Sequence, residues 1–292
     1  MRYFLENDAL KVEIDSFGAE VKSVLNKNEY REYMWYGNKK YWGRTSPVLF
    51  PFVGSLKNKE FIWEGRHYPM GQHGFARDYE HALVSQTEDE IWFEFTSSEE
   101  TLARYPFDFT LNIGYKLTGN ALKVMWKVTN PADKTMYFSI GAHPAFLCPI
   151  HGEGKKDGYK IHFDGTDEIH HYGNVVSTGM TLDEDITMPL EDGCVTITPG
   201  FFDRCTYFIA GGQTKAVSLV DPDGRRYVTV NFDTPIFAIW SPEGKDAPFV
   251  CIEPWFGRAD ADTFSGDLSQ REYTQVLDGG EVFETSYEIV YA

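Results

Sequence analysis

The sequence predicts an all-β protein built as a large antiparallel β-sandwich with few short helices. Residues 107–118 and 121–128 alternate apolar and polar side chains over most of their length. A period of two is that of a strand with one buried face and one wetter face. Similar short runs recur along the chain between turn residues, at intervals of about 8–12 positions, which is typical of a sandwich. No linker, helical repeat or low-complexity tract interrupts them, so we expect one domain over residues 1–292.

Turn residues divide the chain into short strands. Gly119-Asn120 joins the two long alternating runs into a hairpin, and the Asp-Pro-Asp-Gly sequence at 221–224 forms another turn. One short helix is expected over residues 99–104, capped by Ser97 or Ser98 and ended by Pro106. Further strands are expected at residues 12–14, 21–25, 91–96, 160–163, 195–198, 205–209, 217–220, 225–232, 237–240, 249–253 and 282–290.

Two segments near the N-terminus do not have the pattern of a strand. Residues 33–41 are rich in aromatic side chains and form either a helical turn or a loop. Residues 43–54 contain two prolines and two glycines, which exclude a helix or a central strand. Because this second segment is otherwise apolar, we expect a loop pressed against another part of the protein.

Composition limits the kind of partner. The 292 residues carry a formal charge of −17, which argues against nucleic acid or an anionic membrane as the main partner. The four cysteines form no C-x-x-C pair, so we expect reduced thiols and no disulfide framework. The N-terminus lacks an apolar signal segment and no apolar run approaches about 18 residues, so we expect a cytoplasmic protein.

Two titratable residues stand at the ends of apolar, strand-like runs, each directly before a proline. They are His143, in Gly-Ala-His-Pro-Ala-Phe, and Glu253, in Cys-Ile-Glu-Pro-Trp-Phe-Gly. A residue before proline adopts extended backbone, so each side chain is held at a strand end, where rigid scaffolds often place functional groups. A structural hydrogen bond for the histidine and an ion pair for the glutamate are the alternatives. The small neighbours of His143 leave room for a ligand, and a half-buried carboxylate has the raised pKa that suits a general base.

Other polar groups are weaker candidates taken singly. His73 and Arg77 share one glycine-containing loop, and Arg44 lies in residues 43–54. Arginines in such loops usually stay solvated or cap backbone groups. The remaining histidines lack H-x-x-x-H spacing and no acidic triplet clusters with them, so we expect no metal site. The chain also lacks a G-x-S-x-G elbow, a GxGxxG sequence and a P-loop.

Taken in order, four segments resemble landmarks of the aldose 1-epimerase (galactose mutarotase) family, and most nearly its bacterial LacX-like branch. They are residues 44–51, 73–78, 141–146 and 253–257, and the likeness spans nearly the whole chain. The resemblance implies a large antiparallel β-sandwich with a sugar in an open cleft across one sheet. It also implies a small-molecule sugar as the partner and no metal or organic cofactor. We expect a monomer or a weak homodimer.

The resemblance further implies a mechanism. Glu253 would remove the proton of the anomeric O1 hydroxyl, and His143 would protonate the ring oxygen. The ring then opens to the aldehyde and closes again as the other anomer, with the two roles exchanged in reverse. If the two side chains hydrogen-bond to opposite oxygens of one sugar ring, they would lie about 5–7 Å apart.

The resemblance assigns further residues to sugar binding. His73 would bond near O1 or a neighbouring hydroxyl, and Arg44 would contact sugar hydroxyls. Asp203 matches the family's sugar-binding aspartate, although the alignment of this segment with the family motif can shift by one residue. Trp255 is either plain core or an apolar wall for the face of a sugar ring, as is Phe75.

Two alternatives stay open. Arg77 and Arg258 resemble arginines of the hexose-6-phosphate mutarotase branch, and with Arg44 they would grip a phosphate. The other alternative is a non-catalytic carbohydrate-binding protein on the same scaffold, which keeps the cleft but not the turnover.

Overall fold

A computed structural model of the protein describes residues 1–203 and 206–292, and extended strands dominate this part of the chain. One short α-helix, α1, spans Glu99–Leu102, and single 3-10 turns span Lys57–Lys59, Ala76–Asp78 and Leu268–Gln270. Within the described ranges, no helix is long and apolar enough to cross a membrane. In chain order the strands are β1 (Arg2–Glu6), β2 (Leu10–Asp15), β3 (Glu20–Asn26), β4 (Arg31–Glu32), β5 (Val48–Leu49), β6 (Glu60–Trp63), β7 (Arg66–Pro69), β8 (Ala82–Gln86), β9 (Glu90–Thr96), β10 (Thr110–Thr118), β11 (Ala121–Thr129), β12 (Met136–Phe138), β13 (Ile140–Ala142), β14 (Ala145–Leu147), β15 (Lys160–Phe163), β16 (Glu168–Val175), β17 (Met180–Pro189), β18 (Cys194–Thr196), β19 (Tyr207–Ala210), β20 (Ala216–Val220), β21 (Arg226–Asn231), β22 (Ile236–Trp240), β23 (Phe249–Phe256), β24 (Gln275–Leu277) and β25 (Val282–Tyr291).

Two large antiparallel sheets form the body of the fold. The nine-stranded sheet has the order β18-β15-β20-β21-β25-β11-β10-β9-β8. The eight-stranded sheet has the order β17-β16-β19-β22-β23-β13-β5, with β14 also paired to β23. Buried side chains from both sheets share one hydrophobic cluster, for example Leu111 and Val230 with Ile239 and Ile252. The predicted all-β antiparallel sandwich is therefore confirmed.

The local patterns of the sequence are realised in the longest strands. Every second residue of β10 from Leu111 to Leu117 is buried, as the alternation predicts. Strands β10 and β11 pair from Thr118↔Ala121 outward, and Gly119 adopts a positive φ of 57° in the turn between them. Helix α1 is capped by Ser98 but ends earlier than expected. Segment 33–41 is a loop that ends in a single turn, where the Tyr41 and Trp42 N–H groups donate to the Asn38 carbonyl oxygen at 3.0 and 3.1 Å. The start of the predicted strand 205–209 lies outside the described residues.

Strand β23 explains how an apolar sequence holds a carboxylate. It lies inside the sheet, with β22 on one side and both β13 and β14 on the other. All its residues except the last are buried, including Glu253. A central strand packed on both faces has few solvated positions, so a charged residue there needs a partner or loses its charge.

Buried histidine makes the fold sensitive to acid. His81 is 1% exposed, its Nε2 donates to the Ala76 carbonyl oxygen at 3.0 Å, and burial lowers its pKa to about 4. Below pH 6.5 the unfolded chain binds a proton that folded His81 does not accept until about pH 4. We therefore expect the free energy of unfolding to fall by about 3 kcal/mol over this range from this residue alone.

Urea unfolding at pH 7 and pH 4.5 of the wild type and of His81→Gln tests this. The variant keeps a donor for the Ala76 carbonyl but does not titrate, so it should lose less stability on acidification than the wild type. Equal losses in the two proteins would exclude His81 as the source.

Candidate active site

An open cleft lies over the eight-stranded sheet, with a cavity volume of about 380 Å³. Its floor is formed by side chains of adjacent strands in that sheet, namely Phe208 of β19, Trp240 of β22, and Glu253 and Trp255 of β23. Loops that follow the N-terminal strands supply Trp42, Arg44, His73 and Arg77 to its wall.

Strand register brings His143 and Glu253 together. Gly141 pairs with Trp255 and Ala145 pairs with Cys251, so position 143 falls directly across from position 253. Pro144 has no N–H to donate, and the ladder is interrupted at this point between β13 and β14. His143 Nε2 lies 3.3 Å from Glu253 Oε2.

This distance corrects the separation of about 5–7 Å expected from groups on opposite oxygens. The two oxygens of a pyranose that exchange protons, O1 and O5, are bonded to the same carbon. An acid and a base that serve them can therefore lie in direct contact.

Burial pushes the pKa values of the pair toward the uncharged forms. Glu253 is 1% exposed, and desolvation raises its pKa well above the usual range. Desolvation, and then the positive charge of Arg77, lowers the pKa of His143 well below its usual value. In both groups burial therefore favours the uncharged form. Transfer of one proton from Glu253 to His143 yields a carboxylate and an imidazolium in the same place.

Two tryptophans that sequence reasoning missed enclose His143. The Trp42 ring stacks on the imidazole with centroids 4.6 Å apart and an angle of 27°. The Trp240 ring meets it edge-on at 5.3 Å. Because the face of an indole ring is negative, Trp42 favours the protonated form of His143. Trp42 directly follows the aromatic segment 33–41, whose composition was the only available signal.

His73 is held as a neutral hydrogen-bond donor. Its Nδ1 accepts from the Gly54 N–H at 3.0 Å, so the ring hydrogen must be on Nε2. Burial lowers the pKa of His73 well below its usual value, and no described residue pairs with Nε2. His73 lines the cleft, with its ring centroid 5.4 Å from that of His143. It is placed to donate to a ligand oxygen beside the acid–base pair.

Gly74 allows the loop that carries His73 to pack closely against the segment around Phe50. It has a φ of +66°, and a Cβ there would lie 2.4 Å from the Phe50 carbonyl oxygen. A side chain at this position would therefore displace the loop that carries His73.

Two arginines line the same wall of the cleft. Arg77 donates to the Gln72 carbonyl oxygen at 2.7 Å, and burial followed by the charge of Arg44 lowers its pKa to about 10. Arg44 forms an ion pair with Asp78 at 2.7 Å. The wall thus carries two arginines, one of them paired with an aspartate, in a protein whose formal charge is −17.

Trp255 lines the cleft and, at 2% exposed, also belongs to a buried cluster with Phe208. Its Nε1 donates to the Ala142 carbonyl oxygen at 3.0 Å, which ties β23 to the strand before His143. Its side chain shares a face of β23 with Glu253 because side chains alternate along a strand. Phe75, the other aromatic candidate, is buried in the main hydrophobic core.

The structure does not bring Asp203 or Arg258 into the cleft. Asp203 lines a separate cavity of about 220 Å³ and accepts from the Gly244 N–H at 2.9 Å. Arg258 follows the end of β23 and is buried against Thr181 and Glu272, at 3.0 and 2.9 Å. Neither is among the described residues that line the cleft. The expectation for both residues rests on short motifs, and a motif does not fix where a side chain lies once the chain has folded.

Two polar residues that sequence reasoning also missed complete the cleft, one on β16 and one just before β19. Asn174 and Thr206 line it, and the Asn174 side-chain oxygen accepts from the Thr206 N–H at 3.0 Å. Their sequence context has no motif that distinguishes them from ordinary strand residues.

One group of side chains could hold a metal ion, although no metal spacing is visible in the sequence. Ligand atoms of His143, Cys251 and Glu253 all lie within 4.8 Å of one another. A Cys-x-Glu pair on a strand shares one face, but the histidine comes from more than a hundred residues away.

The sandwich and its cleft define a galactose mutarotase-like protein, and solved structures of that class superpose on nearly the whole chain. A galactose mutarotase related enzyme from Lactobacillus acidophilus has a TM-score of 0.94 and 34% identity, over 100% of this chain and 97% of that one. A galactose mutarotase-like protein from Lactobacillus casei has a TM-score of 0.93 and 29% identity, over 100% of both chains.

Family membership follows from the sequence comparison. The family model described as Aldose 1-epimerase matches residues 1–289. Protein LacX of Lactococcus lactis subsp. lactis is 30% identical over 261 residues, which cover 87% of each chain. The chain belongs to the aldose 1-epimerase family, and the resemblance to its LacX-like branch is confirmed.

Proposed function

We propose that the protein is an aldose 1-epimerase that interconverts the α and β anomers of a hexose by acid–base ring opening. The observation that carries this proposal is the contact of 3.3 Å between His143 Nε2 and Glu253 Oε2 in the cleft. A base and an acid in contact can act together on two oxygens that share one carbon. Family membership supports the same class of reaction.

Proton transfer within the pair prepares the site. When the Glu253 proton moves to His143, the resulting carboxylate accepts the proton of the O1 hydroxyl. The imidazolium donates its proton to the ring oxygen O5, and the C1–O5 bond breaks to leave a free aldehyde. Rotation about C1–C2 and the reverse transfers give the other anomer, so the pair ends with the protons it began with.

The environment of the pair suits a reaction that runs in both directions. Neither group can serve only as acid or only as base, because the two anomers have nearly equal free energies. Burial raises the pKa of the glutamate and lowers that of the histidine, so each group can hold or release the proton that the other needs. His73 Nε2–H then supplies a hydrogen bond to a neighbouring sugar oxygen, and Trp255 an apolar surface.

A hexose 6-phosphate is the second candidate substrate. Arg44 and Arg77 line the cleft, and burial followed by the charge of Arg44 lowers the pKa of Arg77. An anionic group between them would relieve the repulsion between the two charges through charge-assisted hydrogen bonds. Arg258 would not take part because it is buried elsewhere.

Magnetisation-exchange NMR tests both candidates, because it measures anomer interconversion at equilibrium. Glucose, galactose and their 6-phosphates are compared with and without the protein. We expect acceleration over buffer for at least one of the four, since general acid–base catalysis typically contributes about 10²–10⁴-fold. Faster exchange of the phosphates would select the second candidate. Sugars that raise the melting temperature without accelerating exchange would instead identify a non-catalytic carbohydrate-binding protein.

A further inference from the structure

A thiol lies directly beside the acid–base pair. Cys251 and Glu253 are two residues apart on β23, so their side chains share one face of the strand. His143 meets that face from across the ladder. The Cys251 sulfur, a Glu253 oxygen and a His143 ring nitrogen all lie within 4.8 Å of one another.

Glu253 has a weak partner for a buried carboxyl group, since His143 Nε2 lies 3.3 Å from its Oε2 but makes no hydrogen bond to it. Its Oε2 is buried and accepts no hydrogen bond from any described residue. Within the described ranges its only ion-pair contact is His143, and no lysine or arginine lies within ion-pair distance of it. A carboxyl oxygen this buried and this poorly paired can accept a bond from a ligand without losing one within the protein.

The spacing of the three groups is close to that of zinc ligands. Zinc bonds to nitrogen and oxygen are about 2.0–2.2 Å long and those to sulfur about 2.3 Å, arranged tetrahedrally. Ligand nitrogen and oxygen atoms on one ion are then about 3.3 Å apart, and the observed contact is 3.3 Å. The widest of the three separations, at most 4.8 Å, would have to shorten to about 3.6 Å when a metal binds.

We propose that His143, Cys251 and Glu253 form a binding site for a thiophilic divalent cation of the Zn²⁺ type, with the fourth ligand position open to the cleft. On binding, bonds form from the metal to sulfur, oxygen and nitrogen, and the thiol and carboxyl protons pass to solvent. No oxidation or reduction is involved. Hard cations such as Mg²⁺ are disfavoured because they prefer oxygen ligands.

Such an ion would compete with a sugar for the same two side chains. This site does not rest on the proposed function, because binding of the metal can be measured without sugar or turnover.

Titration of the full chain with Co²⁺, followed by absorption spectroscopy, tests the site. Co²⁺ adopts zinc sites and gives a thiolate-to-metal charge-transfer band when a cysteine is a ligand. We expect the band in the wild type and in Cys148→Ala, a matched change at another buried thiol. It should be lost in Cys251→Ala and also in Cys251→Ser, which keeps the volume of the side chain. Zn²⁺ should displace the cobalt band, and an excess of Mg²⁺ should not.

Two outcomes would overturn the site. One is a wild-type protein that shows no charge-transfer band. The other is a band that survives in both Cys251 variants, which would place the thiolate ligand at another cysteine. Circular dichroism of each variant verifies that lost metal binding is not lost folding.

Discussion

Glu253→Gln is expected to lower the catalysed rate of anomer interconversion by about 10³-fold, within the range for loss of a general acid–base group. The amide has the shape of the carboxyl group but cannot take up the O1 proton or pass one to His143. The fold should survive, because burial raises the pKa of the Glu253 carboxyl group and the amide matches the size and the neutral charge of the protonated form that burial favours. The measurement is exchange NMR on the best substrate, with circular dichroism as the test of folding.

Glu284→Gln is the matched control for this experiment. It makes the same chemical change on β25, in the nine-stranded sheet, where the side chain is 67% exposed. Its rate should equal that of the wild type. A Glu253→Gln protein that is folded and retains the wild-type rate would remove Glu253 from the mechanism.

Asp260→Asn is expected to lower the free energy of unfolding by about 3–5 kcal/mol, the cost of leaving one partner of a buried ion pair alone. Arg271 Nε lies 2.6 Å from Asp260 Oδ1, and the two side chains are 3% and 4% exposed. The other Asp260 oxygen accepts from the Lys57 N–H at 2.8 Å. The substitution removes the counter-charge of Arg271, whose guanidinium remains desolvated over the Phe52 ring.

Urea denaturation measures this loss, and Asp233→Asn is its control. Asp233 pairs with Lys215 at 3.1 Å on the surface, where the side chains are 85% and 73% exposed. Solvent screens such a pair, so its loss should affect stability far less. Equally small effects in the two variants would show that the Asp260–Arg271 pair does not stabilise the fold in the way its burial implies.

Local order in this protein was predictable because it is encoded in short runs of residues. Alternation over β10 and β11 reports one buried face per strand, and Gly119-Asn120 permits the positive φ of the turn between them. The capping serine of α1 was likewise visible as Ser98. These features need no knowledge of distant residues. The loops that carry Arg44 and His73, and the strand ends at His143 and Glu253, were visible for the same reason.

The site itself was decided by tertiary structure. The pairing of β13 and β14 with β23 places His143 across from Glu253. The stacking of Trp42 on the His143 ring depends on the packing of a distant loop. The same packing leaves Asp203 and Arg258 outside the cleft.

The sequence by itself thus determined the class of fold, the family and the two residues most suited to proton transfer. The tertiary structure decided how far apart those residues lie, which aromatic rings enclose them, and that Cys251 joins them. The physical reason is that period and turn chemistry act over a few neighbouring residues. Strand register and burial depend instead on contacts between segments that are far apart in the chain.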